Sequence, residues 1–192
     1  MRRISAADGL SLEALEDVLE LDAVNGLCGE PAGAKQIAAA LFEQQRLPVC
    51  RYLVSLGLRP QVASEIAQES FLRLYRHLRS HGRSENLRGW VFRVAHNLAM
   101  NELSRAGKAD ADAPVSEADP AGDPEQALLR KERMRRMRAA IGKLPRRQQE
   151  CLHLRAEGLR YREIAQVLGI GISSVAESVQ RALETLARTC HE

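Results

Sequence analysis

The chain is poor in aromatic residues. They make up 4% of its 192 residues, with one tryptophan, three tyrosines and three phenylalanines. β-branched runs are short as well, so no sheet is expected. The abundance of alanine, leucine, arginine and glutamate predicts an all-α chain instead. Cysteine offers no framework: Cys28, Cys50, Cys151 and Cys190 are far apart and form no C-x-x-C pair. That excludes a zinc ribbon or a disulfide scaffold and points to reduced thiols in the cytosol. No apolar run is long enough to cross a bilayer. The stretch Met1–Leu21 carries two arginines without a continuous apolar segment, so no secretory signal is expected and the predicted location is cytoplasmic.

Catalytic signatures are missing too. There is no glycine-rich phosphate loop, nucleophile elbow or paired-carboxylate pattern. His77 and His81 stand four apart with no third ligand near them. Cys151 and His153 are close in sequence, but alternate residues on a helix point apart. The expectation is a chain with no catalytic residue, no metal and no cofactor.

What is present is patterned charge. The formal net charge of +3 is too small to argue for nucleic acid by itself. Its distribution says more. The first 45 residues and the stretch Asp110–Glu125 lean acidic, whereas Arg73–Arg105 and Arg130–Arg162 are rich in arginine. Two basic blocks on an acidic tether fit a protein that touches a polyanion at two places.

The apolar spacing divides the chain into four parts: a prologue over residues 1–35, a helical domain over 36–105, a flexible acidic linker over 106–125, and a second helical domain over 126–192. From Gln36 to Ser55 the pattern suggests one or two helices with Pro48 near a joint. Gly57–Pro60 is a turn. The next helix, Ala63–Leu78, carries Ala67, Phe71, Leu74 and Leu78 on one stripe, with Glu65, Glu69, Leu72 and Arg76 on the other side. A polar loop leads to a helix from about Leu87 to Arg105. After the linker an amphipathic helix is expected to bury Leu128, Leu129, Met134, Met137 and Ile141. Pro145 then opens a short helix that ends at Gly158.

Three constellations stand out. On the helix "LRGWVFRVAHNLAMNELSR", Trp90, Arg93, Asn97, Asn101 and Ser104 fall within an arc of about 80°, opposite Val91, Ala95, Leu98, Ala99 and Leu103. An aromatic plane, a cation and two amides can stack an unpaired base and bond its edges; a core tryptophan beside solvated asparagines gives the same pattern. Glu65, Gln68 and Glu69 form an acidic face suited to a basic partner helix, or an ordinary solvated one. "YREIAQVLGIGISSVAESVQRALETL" reads as a helix–turn–helix. Ile164, Ala165 and Leu168 pack on Val175, Val179, Ala182 and Leu186, and Gly169 makes the turn. Ser174, Glu177, Ser178 and Arg181 are expected on the exposed side, where such side chains read bases. Arg160 and Arg162 are placed to hold phosphate. A helical hairpin that only packs is the alternative.

"SEIAQESFLRLYRHLRSHGRSENLRGWVFRVAHNLAMNELSR" and "LPRRQQECLHLRAEGLRYREIAQVLGIGISSVAESVQRALETLA" together resemble regions two and four of a bacterial RNA polymerase sigma factor of the extracytoplasmic-function type. The resemblance implies two small helical domains, a region-two bundle and a region-four helix–turn–helix, on a flexible linker. It implies core RNA polymerase as partner. Glu65, Gln68, Glu69 and Leu72 would meet the coiled coil of the largest subunit, and region four would grip the flap of the second largest. Promoter DNA would be met at the minus-ten element by Trp90, Arg93, Asn97, Asn101 and Arg105, and at the minus-thirty-five element by Arg160, Arg162, Ser174, Glu177, Ser178 and Arg181. An anti-sigma factor is a further implied partner; no membrane is.

The chain departs from the family pattern at Val62-Ala63-Ser64, where acidic residues are common, and at Ala176 and Ser178, where basic ones are. Two other functions fit the same residues: a stand-alone helix–turn–helix regulator with an N-terminal sensing domain, and an interaction protein that titrates polymerase or an anti-sigma factor.

Overall fold

The computed structural model describes residues 33–81, 86–105 and 124–191, and every regular element among them is an α-helix. The chain divides into two compact units, Met1–Ala113 and Pro114–Glu192. Most of the prologue and linker expected at 1–35 and 106–125 lies outside the described residues, as do residues 82–85 of the polar loop.

The first unit holds α1 (Ala34–Ser55), α2 (Pro60–His81) and α3 (Leu87–Arg105), each packed against the other two. The joint expected at Pro48 does not form, and α1 runs through it as one helix of 22 residues. A helical proline forfeits a hydrogen bond and crowds the preceding turn, at a cost of about 3 kcal/mol. Phe42 on one side of it, and Val49, Tyr52 and Leu53 on the other, are all buried. At about 1.5–3 kcal/mol for each large apolar side chain, that burial outweighs the proline.

Gly57, at φ 97°, turns the chain between α1 and α2. Ala67, Phe71, Leu74 and Leu78 are buried along one stripe of α2, as its spacing predicts, with Ala63 and Tyr75 beside them. Phe42 meets Phe71 edge-on at 5.2 Å. Tyr52 packs on Phe92 at 5.8 Å, and its hydroxyl is hydrogen-bonded to His96 Nδ1 at 2.8 Å, which ties α1 to α3. Asn86 starts α3: its Oδ1 accepts from Gly89 N at 3.0 Å and its carbonyl from Trp90 N at 3.0 Å. A Cβ on Gly89 would lie 2.5 Å from Asn86 Nδ2, so any larger residue there displaces the capping side chain.

The second unit holds α4 (Pro124–Gly142), α5 (Arg146–Ala156), α6 (Tyr161–Leu168) and α7 (Ile172–His191). The expected amphipathic burial of α4 is met at its end and not at Leu128 or Met134; the side chain of Leu129 lies outside the described residues. Leu128 is 68% exposed and Met134 44%, whereas Met137 and Ile141 lie against a cluster of Ala140, Leu144, Ala182 and Leu186. Ala182 and Leu186 of α7 thus pack at the end of α4. Gln149 Nε2 donates to Leu144 O at 2.7 Å and so holds the corner between α4 and α5. Among the described residues no helix is long and apolar enough to cross a membrane.

Asn86→Ala is expected to cost about 1 kcal/mol, the usual worth of an N-cap. Gly89→Ala will be less favourable with Asn86 present than in the Asn86→Ala background, where the helix preference for alanine is unopposed. Denaturation of the four proteins of this cycle measures the coupling; additivity would refute it.

Burial also lowers the pKa of His153 from 6.5, against an opposing effect of Glu157. The unfolded chain thus binds this proton more tightly than the folded one. The stability at stake is complete above about pH 6.5 and is lost as pH falls through the lower folded value. Thermal melts of wild type and His153→Gln across that window should converge at acid pH.

Candidate nucleic-acid interface

The core fixes the outward face of α3. Val91, Phe92, Ala95 and Ala99 are fully buried, with Leu98 and Leu103 half-buried beside them. Opposite them Arg93, Asn97, Asn101, Ser104 and Arg105 are exposed. Trp90, in the first turn, is half-exposed and so is not a core residue. One face of its indole is stacked on the His77 imidazole of α2, centroid to centroid 4.9 Å and 21° between planes. His77 was weighed in the sequence only as a metal ligand. Its stacking role could not be read from α2, because the partner ring arrives on another helix.

On α2, Glu65 is exposed, while Gln68, Glu69 and Leu72 are half-exposed on the side away from the buried stripe. Glu69 Oε1 accepts from Arg73 Nε at 2.7 Å, an exposed pair one turn apart. Such a pair is weak enough to yield to a stronger cationic partner.

The second unit presents the helix–turn–helix. Glu163 Oε2 accepts from Arg160 N at 2.6 Å and closes the start of α6. Gly169, at φ 65°, ends that helix in the left-handed conformation, and Ile170 N donates to Ala165 O at 3.1 Å. Ile164, Ala165, Val175 and Val179 are buried, whereas Leu168 is only half-buried and Val167 takes the inner position. Arg160 and Arg162 flank an exposed Tyr161, over whose ring the Arg155 guanidinium lies at 5.7 Å.

The reading face of α7 differs from the sequence expectation in two ways. Ser178 does not project outward. It is half-buried, its Oγ donates to Ser174 O at 2.7 Å, and it lies in hydrogen-bonding contact with the buried Cys151 thiol of α5. Burial pushes that thiol up, and the contact with Ser178 only partly offsets it. At 100° per residue, Ser178 stands about 70° from the middle of the buried stripe, which puts it on the flank. Ser174 lies on the same flank and is half-buried. Second, Arg181 is exposed but joined to Glu177 in an ion pair. The outward stripe is Ser173, Glu177, Gln180, Arg181 and Glu184. Ser173 and Gln180 were missed, although their spacing from Glu177 placed them there.

A helix–turn–helix in one helical unit and an exposed aromatic–amide helix face in the other define a DNA-binding transcription protein. Residues 41–109 match the family Sigma-70 region 2, and residues 134–186 match Sigma-70, region 4. The RNA polymerase sigma-H factor of Pseudomonas aeruginosa is 33% identical over 138 residues, 66% of this chain and 72% of that protein. The ECF RNA polymerase sigma-E factor of Salmonella typhimurium is 30% identical over 134 residues, covering 64% and 70%. Among solved structures, the sigma factor RpoE of Bartonella quintana, in complex with the anti-sigma factor NepR, has a similar fold. Its TM-score is 0.62 at 18% identity, over 78% of this chain and 94% of that one. CnrH, solved with the cytosolic domain of CnrY, gives 0.56 at 20% identity, over 92% and 97%. The chain belongs to the sigma-70 family and is an RNA polymerase sigma factor of the extracytoplasmic-function type. It binds core polymerase and promoter DNA and directs promoter-specific initiation.

Glu177→Gln removes a negative charge from the outward stripe and releases Arg181. It should tighten binding to upstream promoter duplex and steepen the log–log salt dependence by about one unit. Ser178→Ala should leave base preference unchanged. Anisotropy titrations of holoenzyme on duplex libraries at several salt concentrations measure both; an altered preference in Ser178→Ala would mean that the hydroxyl turns outward.

Proposed function

We propose that the two units divide promoter recognition between them. Residues 36–105 act on the minus-ten element and core polymerase, residues 126–192 on the minus-thirty-five element, and residues 106–125 join them as a tether. In the first unit Trp90 stacks an unpaired base, Asn97 and Asn101 bond its edges, and Arg93 and Arg105 hold the backbone. The observation that carries this reading is that Arg93, Asn97, Asn101 and Arg105 are exposed and Trp90 partly so, on a helix whose opposite side buries Val91, Phe92, Ala95 and Ala99. Half-exposed indole and exposed amides suit single-stranded bases.

Glu65, Gln68, Glu69 and Leu72 form the surface for the coiled coil of the largest polymerase subunit; an acidic face with an apolar residue suits a basic helix. In the second unit Arg160 and Arg162 hold phosphates, and Glu177 and Arg181 read base edges from the outward stripe, with Ser173 and Gln180 joining them and Ser174 at its margin. Region four also grips the flap of the second-largest subunit. The chain itself catalyses nothing and works in the cytoplasm. An anti-sigma factor is a fitting regulator, because the similar RpoE structure holds one. The prologue, residues 1–35, has no role assigned by these contacts. A stand-alone regulator is the weaker reading, since it has no use for the α3 face.

Trp90→Ala and Asn101→Ala should impair promoter opening, read by permanganate reactivity, while core pull-down stays near wild type. Arg181→Ala should weaken upstream-element binding by about 1–3 kcal/mol. Equal loss of opening and core binding in the α3 variants would overturn the assignment.

A further inference from the structure

We propose that His77 is a positioning residue that holds Trp90 as a preset stacking platform for an unpaired promoter base. The proposal rests on the reading of α3 as the base-capturing face and adds a residue on a second helix to it. The two rings lie 4.9 Å apart and 21° from parallel, an offset stack. Their backbones are locked. Leu74, Tyr75 and Leu78 around His77 are buried at 0%, 1% and 2% exposure, and Val91 and Phe92 beside Trp90 at 0%. The Asn86 cap fixes the turn from which Trp90 leaves, because Trp90 N donates to Asn86 O at 3.0 Å.

One indole face lies against the imidazole and the residue keeps part of its surface exposed. The proposed place for the base is the face opposite His77. A base arriving there completes a three-layer stack of imidazole, indole and base. Without His77 the indole regains rotamer freedom, which the base must then suppress on binding. A flat ring at position 77 is the feature this stack needs.

Trp90 is the chain's single tryptophan, so intrinsic emission reports on this ring alone. The test compares wild type, His77→Ala, His77→Gln, His77→Phe and Trp90→Ala as full chains and as reconstituted holoenzymes. Acrylamide quenching of free protein reads indole exposure. Equilibrium binding reads capture, on forked DNA with an unpaired minus-ten strand and on fully paired upstream duplex.

His77→Ala and His77→Gln should raise quenching and weaken forked-DNA binding about tenfold, within the worth of one base–aromatic stack. Duplex binding and core pull-down should not move, and His77→Phe should restore both quenching and forked-DNA affinity. Wild-type behaviour in His77→Gln, or a His77→Phe variant as weak as His77→Gln, overturns the positioning role. If Trp90→Ala weakens forked-DNA binding while His77→Gln does not, the base-capturing reading stands and only the His77 proposal fails. If Trp90→Ala binds forked DNA as wild type does, the underlying reading fails and takes the proposal with it.

Discussion

The seating of α3 is the constraint on which the first unit's surface depends. Val91, Phe92, Ala95 and Ala99 are fully buried, and the Tyr52–His96 hydrogen bond fixes rotation from the α1 side. Turning α3 by one residue, about 100°, toward Arg93 would bring Val91 and Ala95 to the surface and bury the Arg93 guanidinium without a partner. Either change costs on the order of 1–3 kcal/mol by the worth of a buried aliphatic side chain or an unsatisfied polar group. The outward stripe from Trp90 to Asn101 is thus specified by the residues behind it.

The second unit repeats the logic with a different support. Its reading helix is clamped at Val175 and Val179 in the first half, and at Ala182 and Leu186 against the end of α4. Clamping from two directions leaves a narrow outward stripe. On that stripe the Glu177–Arg181 pair cancels its own charge. Arg160 and Arg162, at the start of α6, are exposed as well, so the exposed cations of this unit are shared between α6 and α7.

The net charge is only +3, yet exposed arginines stand in both units, among them Arg73, Arg76, Arg93 and Arg105 in the first and Arg155, Arg160, Arg162 and Arg181 in the second. A globally basic protein would bind any duplex tightly, whereas local basic clusters need two matching elements before affinity becomes large.

How much of this was legible in the sequence differs from helix to helix. The α2 stripe, the turn at Gly57, the helix–turn–helix with Gly169 and the exposed α3 face all follow from the 3.6-residue period and from glycine's tolerance of positive φ, which are local properties. The continuity of α1 through Pro48, the exposure of Leu128 and Met134, the turning of Ser178 toward Cys151 and the stacking of His77 on Trp90 do not follow from them. Each depends on what lies beside the spot: Phe71 and Phe92 beyond α1, the exposure of Leu128 and Met134 on α4, the α5 thiol beside α7, the indole beside α2. Sequence by itself determined which residues share a helix face. Tertiary structure decided which of those faces is buried and which is left to solvent, because burial energy belongs to pairs of surfaces and a single helix carries only one of them.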